Sequence, residues 1–102
     1  MSESNIQTDI LNYVKARGAY AFKKHSDAIS GAGVSDVVCG YKGFYIAFEV
    51  KEPDGTISPI QRHHLREVQK AGNIGEAVRS VKRVKEVLDC IDRGDKWENT
   101  RY

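Results

Sequence analysis

Hydrophobic positions along the chain change period several times, and each change marks an element. Ile6, Ile10, Leu11 and Val14 recur at helical spacing, with Ser2 or Ser4 able to cap the start and Gly18 suited to the position after the end. This predicts a helix over about residues 3–17, with Lys15 and Arg17 where the helix dipole favours cations. Residues 19–25 read as a short strand with Tyr20 and Phe22 on one face, and 26–33, with two glycines, as a loop. Residues 34–39 are strand-like, and Gly40 to Gly43 reads as a tight turn into a third strand of clean period two. Phe44, Ile46, Phe48 and Val50 form its core face, while Tyr45, Ala47, Glu49 and Lys51 face the other way.

Glu52-Pro-Asp-Gly is turn chemistry. Ser58-Pro59-Ile60-Gln61 then starts a helix, with Ser as N-cap, Pro in the first turn and Gln closing a capping box. Its expected buried stripe is Ile60, Leu65, Val68 and Ala71, ending at Gly72 or Asn73. A strand over about 74–79 follows, then a helix over about 81–92 with an apolar stripe of Val81, Val84, Leu88 and Ile91. The tail after Gly94 is polar and reads as poorly ordered. The order is αβββαβα, an α/β domain over residues 1–94 with a mixed sheet and helices against it, followed by a tail over 95–102.

A chain of 102 residues is the size of one domain, and burying only about 65% of its unfolded surface leaves a thin margin that a second subunit would widen. The longest apolar run, residues 44–48, is far too short to span a membrane, and residues 1–9 lack a signal peptide's basic and apolar regions. The expectation is a cytoplasmic protein with no membrane partner. Cys39 and Cys90 then read as free buried thiols. Net charge is only +2, but its distribution is uneven. Between Gln61 and Lys85 seven basic residues face two acids, and Lys15, Arg17, Lys23 and Lys24 form a second cluster. Such clusters suit a polyanion, although charge alone equally fits a solvated face.

Candidate chemistry gathers at Gly33-Val-Ser-Asp36, Glu49-Val-Lys51 and Gln61. Phosphodiester hydrolysis calls for carboxylates converging on a hard divalent cation, which acidifies water and offsets charge on the phosphorane. Asp36 and Glu49 on neighbouring strands can supply them, the Val50 carbonyl offers a further ligand, and Lys51 projects beside Glu49. Glu-x-Lys alone arises by chance in roughly one such chain in three. Its place at the end of an alternating strand carries more weight. A capping box already explains Gln61 in full.

Taken together and in this order, Glu3 with Ile6-Gln7, Gly33-Val-Ser-Asp36, Phe48-Glu49-Val-Lys51 and Ser58-Pro-Ile-Gln61 resemble the virus-type replication-repair nuclease (VRR-NUC) domain. That domain is a branch of the PD-(D/E)xK superfamily with a restriction-endonuclease-like fold. The resemblance spans about residues 3–78 and implies Mg²⁺ or Mn²⁺ held by Asp36, Glu49 and the Val50 carbonyl, with Glu3 completing the shell. It further implies Lys51 assisting water attack and Gln61 supporting the site. Ser35 stands where the superfamily name has Pro, a variation this branch admits. Stand-alone members resemble dimeric Holliday junction resolvases, often phage- or prophage-borne. The expected function is therefore structure-selective DNA cleavage at four-way junctions, leaving 5′-phosphate and 3′-hydroxyl ends, by a homodimer whose first candidate interface is the last helix, a stripe that fits packing on the sheet equally well. Lys23, Lys24, His25, Arg62 and Arg66 are the expected DNA contacts. A nicking or restriction-like enzyme on duplex DNA, a non-catalytic DNA-binding module and RNA cleavage stand as alternatives. His63-His64 lacks zinc-ligand spacing, and Tyr41 and Trp97 read as packing residues that could otherwise stack on bases.

Overall fold

A computed structural model describes residues 2–24 and 36–102. The Ser2 hydroxyl accepts from the Asn5 N–H and caps α1 (Glu3–Ala16), which buries Ile6, Ile10 and Val14. Three antiparallel strands follow: β1 (Tyr20–Lys23), β2 (Val37–Tyr41) and β3 (Phe44–Val50). The chain then forms α2 (Pro59–Lys70), β4 (Ile74–Val78) parallel to β3, and α3 (Val81–Asp92). The sheet runs β1-β2-β3-β4, mixed as the αβββαβα order requires.

Where the structure departs from sequence expectation, the causes are local. β2 continues through Gly40 and Tyr41, because the turn needs only Lys42 (φ 49°) and Gly43 (φ 88°). Two consecutive positive φ angles make the two-residue hairpin whose twist matches the strands, and glycine meets the second at no steric cost. Tyr41 is buried, its hydroxyl donating to Asp92 at 2.7 Å, so it packs rather than stacks on bases.

One face of the sheet, carrying Val37, Cys39, Ile46, Phe48, Val50, Ile74 and Val78, packs against α1 and α3 as the main core. Val84, Val87, Leu88 and Ile91 of α3 lie inside that core. This stripe, which fitted either a second subunit or the chain's own sheet, is thus covered within the chain by α1 and the sheet. Phe44, assigned to the core face, lies beyond the helices' cover at the strand's start and is half exposed. On the opposite face α2 covers β3 and β4, which buries Ala47 and Glu49 as well. Gly75 permits this close approach, since a Cβ there would meet Val68 Cγ1 at 3.1 Å and the Leu65 carbonyl at 3.2 Å. Leu65 and Val68 are the buried residues of α2, while Ile60 (52% exposed) and Ala71 point outward.

The polar tail is the largest correction. It folds back along the free edge of β4 around Glu76, which is completely buried. The Trp97 indole N–H and Thr100 N–H donate to Glu76 Oε2, and the Tyr102 hydroxyl donates to Oε1, each at 2.8 Å. Tyr102 Oη accepts from the Ala77 N–H, and Asn99 Oδ1 accepts from the Gly75 N–H. Side chains thus satisfy edge amides that an open strand would expose to another chain. Polar composition misled because these residues bind a buried acid instead of water.

Candidate active site

Asp36, just ahead of β2, is gripped on three sides. Its N–H donates to the Phe48 carbonyl (3.0 Å), its carbonyl accepts from Lys24 N–H (2.8 Å), and its Oδ2 accepts from Val50 N–H (2.8 Å). The carboxylate thereby replaces a backbone partner where the β2–β3 ladder ends, which fixes it beside the end of β3. Glu49 sits there on the face covered by α2 and is only 2% exposed.

Gln61 ties the helix to the strand. Ser58 Oγ accepts from Gln61 N–H (3.2 Å), and Gln61 Oε1 accepts from Ser58 N–H (2.9 Å), completing the capping box. The same amide donates from Nε2 to Glu49 Oε1 at 2.8 Å. One side chain therefore both caps α2 and holds the buried Glu49 carboxylate.

Glu49 Oε2 is buried without a hydrogen-bond partner. Burial first, then the neighbouring Asp36 carboxylate, push its acid up to about 8, with Lys51 opposing and Glu3 adding a smaller repulsion. Desolvation and like charge both disfavour the ionised form. Lys51 follows β3 and is half-buried, its N–H held by the Val78 carbonyl (2.9 Å). Glu3, in the first turn of α1, reaches Glu49 only through its charge: among the described residues no third Asp, Glu, His or Cys joins the two carboxylates as a ligand cluster. A hard cation such as Mg²⁺ keeps several waters and needs only one or two carboxylates beside substrate phosphates, so two converging acids with an unpartnered oxygen fit one.

The basic residues divide. Arg66 donates to the Tyr102 carbonyl (3.0 Å), Arg79 to the Gly55 carbonyl (2.8 Å), and Arg83 lies over the Trp97 ring while pairing with Glu86. Lys70 and Lys85 pair with Glu67 and Asp89. The stretch from Arg62 to Lys85 is thus no single free surface. Lys23, Lys24 and Arg62 border the carboxylate end of the sheet, and His64, one turn beyond Gln61, is held below its usual range by burial and by Lys24. His25 and the Gly33-Val34-Ser35 segment lie outside the described residues. Sequence reasoning missed Glu76, whose signal was an acid between Ile74 and Val78 on the strand's apolar face.

The fold, a mixed four-stranded sheet flanked by helices, is of the restriction-endonuclease-like kind. Among solved structures it is similar to Hjc, a Holliday junction resolvase from the archaeal hyperthermophile Archaeoglobus fulgidus, with a TM-score of 0.61 and 20% identity over 76% of this chain and 67% of that one. No protein-family model matches the sequence, and comparison with curated proteins returns no match. At this identity the likeness shows a shared fold.

Proposed function

We propose that the protein is a metal-dependent endodeoxyribonuclease of the PD-(D/E)xK type, close in kind to the VRR-NUC branch, that cleaves four-way DNA junctions as a homodimer. The observation that carries this is the buried Glu49 carboxylate, held by Gln61 and facing Asp36 with one oxygen unpartnered. A fold concerned only with stability gains nothing by placing two acids together, since each raises the other's cost of ionisation. The likeness to a resolvase supports the junction as substrate, and a two-fold symmetric junction suits two sites in a symmetric dimer.

In this reading Asp36, Glu49 and the Val50 carbonyl hold Mg²⁺ or Mn²⁺, with Glu3 contributing through its field. When bound, the cation supplies Lewis-acid stabilisation of the phosphorane and acidifies water. Gln61 keeps Glu49 from rotating, and the Val50 N–H does the same for Asp36. Lys51 offsets negative charge growing on the phosphoryl oxygens and orients the attacking water. Water oxygen bonds to phosphorus and gives up a proton to solvent as the bond to the 3′ oxygen breaks, and that oxygen takes up a proton, leaving a 5′-phosphate and a 3′-hydroxyl. The test is incubation of wild type and Asp36→Asn with four-way junction, flap and matched linear duplex, each with Mg²⁺ or EDTA. Cleavage confined to wild type with metal and strongest on the junction is expected; equal cleavage by the variant would overturn the site.

A further inference from the structure

α2 covers the β3–β4 half of its face of the sheet, and on the β1–β2 half Val38 is buried while Tyr20, Phe22, Gly40 and Tyr45 around it are exposed. Three aromatic residues stand there: Tyr20 (80% exposed), Phe22 (48%) and Tyr45 (47%). The register places them in rows, with Tyr20 opposite Gly40 opposite Tyr45, and Phe22 opposite Val38 opposite Ala47. Ala47 and Glu49 share this face by alternation, so the rows lead along the strands to the carboxylates. A Cβ added at Gly40 would meet nothing within 4 Å, leaving a floor between the two tyrosines with open space above it.

We propose that this open half-face is a stacking platform for unpaired bases next to the scissile phosphate. The inference rests on the nuclease reading and deepens it, naming locally unstacked DNA as what the site selects. Rows two residues apart along a strand lie about 6.7 Å from one another. That is about twice the ~3.4 Å rise per nucleotide of a duplex strand, so the rows match bases pulled apart and not a stacked helix. Lys24 continues the Tyr20–Phe22 face toward the carboxylates, and Lys51 does so from β3, giving positive charge where the backbone must enter. Aromatic rings beside a cationic track are the usual means of holding single strands without reading sequence.

A second copy of the chain fits the face less well. At roughly 200 Å² per aromatic side chain the three rings expose about 350 Å², under half of what one partner brings to a stable interface. Lys23 and Lys24 at the end of the edge strand also discourage pairing between copies.

The experiment uses the full chain in EDTA, so that cleavage plays no part. Affinity is measured for fluorescein-labelled oligo(dT) and for a linear duplex, with quenching of 2-aminopurine in a single strand as an independent reading of stacking. The double variant Tyr20→Ala/Tyr45→Ala should lose roughly ten- to a hundredfold in oligo(dT) affinity and most of the quenching, with duplex affinity and the salt slope unchanged. Tyr20→Phe/Tyr45→Phe should bind as wild type does. Unchanged oligo(dT) affinity of the alanine variant overturns the proposal, as does an equal loss in the phenylalanine variant. A fall in sedimenting mass accompanying the loss would overturn it in favour of self-association. Mg²⁺-dependent junction cleavage by wild type, measured separately, decides the nuclease reading whatever this result.

Discussion

Replacing Glu49 by Gln tests the idea that the fold stores an electrostatic cost at the site until a cation relieves it. In the metal-free protein the Glu49 carboxyl is raised from 4.5 to about 8 by burial and by Asp36. Between these values the folded state binds a proton that the unfolded state has lost, so stability falls as pH rises from about 4.5 to about 8. At about 1.36 kcal/mol per unit, the loss reaches about 4 kcal/mol by pH 8, a large share of the ~5–15 kcal/mol typical of a domain. Glu49→Gln removes the ionisation while keeping an oxygen for Gln61 Nε2 and placing an amide toward Asp36. Urea unfolding in EDTA at pH 5 to 8 reads the difference. The wild-type midpoint should drop by roughly 2 M relative to that of the variant. Divalent cation at pH 8 should restore the wild type and leave the variant almost unmoved, because only the ionised pair binds it strongly. Parallel pH curves for the two proteins would refute the reasoning, since then no raised acid exists at this position.

Gln61→Ala should destabilise by about 1–2 kcal/mol through loss of the capping box, and should lower cleavage further than the unfolded fraction explains; thermal melts and initial rates on a junction separate the two effects. Tyr102→Phe leaves Ala77 N–H without an acceptor and strips one donor from buried Glu76, so urea titration should show a loss of about 1–3 kcal/mol. Lys24→Ala and Arg62→Ala should each weaken DNA binding uniformly across sequences and flatten the log–log salt dependence by about one, whereas Arg66→Ala, whose guanidinium serves the tail, should change stability more than affinity.

The order of elements and the neighbourhood of the candidate site were legible in the sequence because each rests on local physics. Period two put Glu49 and Lys51 on one face of β3, and Ser58-Pro59 with Gln61 three residues after the cap marked the start of α2. Such signals depend on residues a few positions apart, so no knowledge of the packing is needed to read them. What packs against an element is a different matter. The stripe of α3 looks the same whether a sheet or a second subunit covers it, and only the fold shows that the sheet does. Residues 95–102 read as solvated, yet Trp97, Thr100 and Tyr102 close around Glu76, more than twenty positions away. The double duty of Gln61 is likewise split between levels: its bonds to Ser58 are local, while its bond to Glu49 exists only because Gly75 lets α2 settle closely on the sheet. Local spacing chose the elements and their chemistry; which carboxylate lost its water, and which aromatic rings kept theirs, depended on contacts between segments distant in sequence.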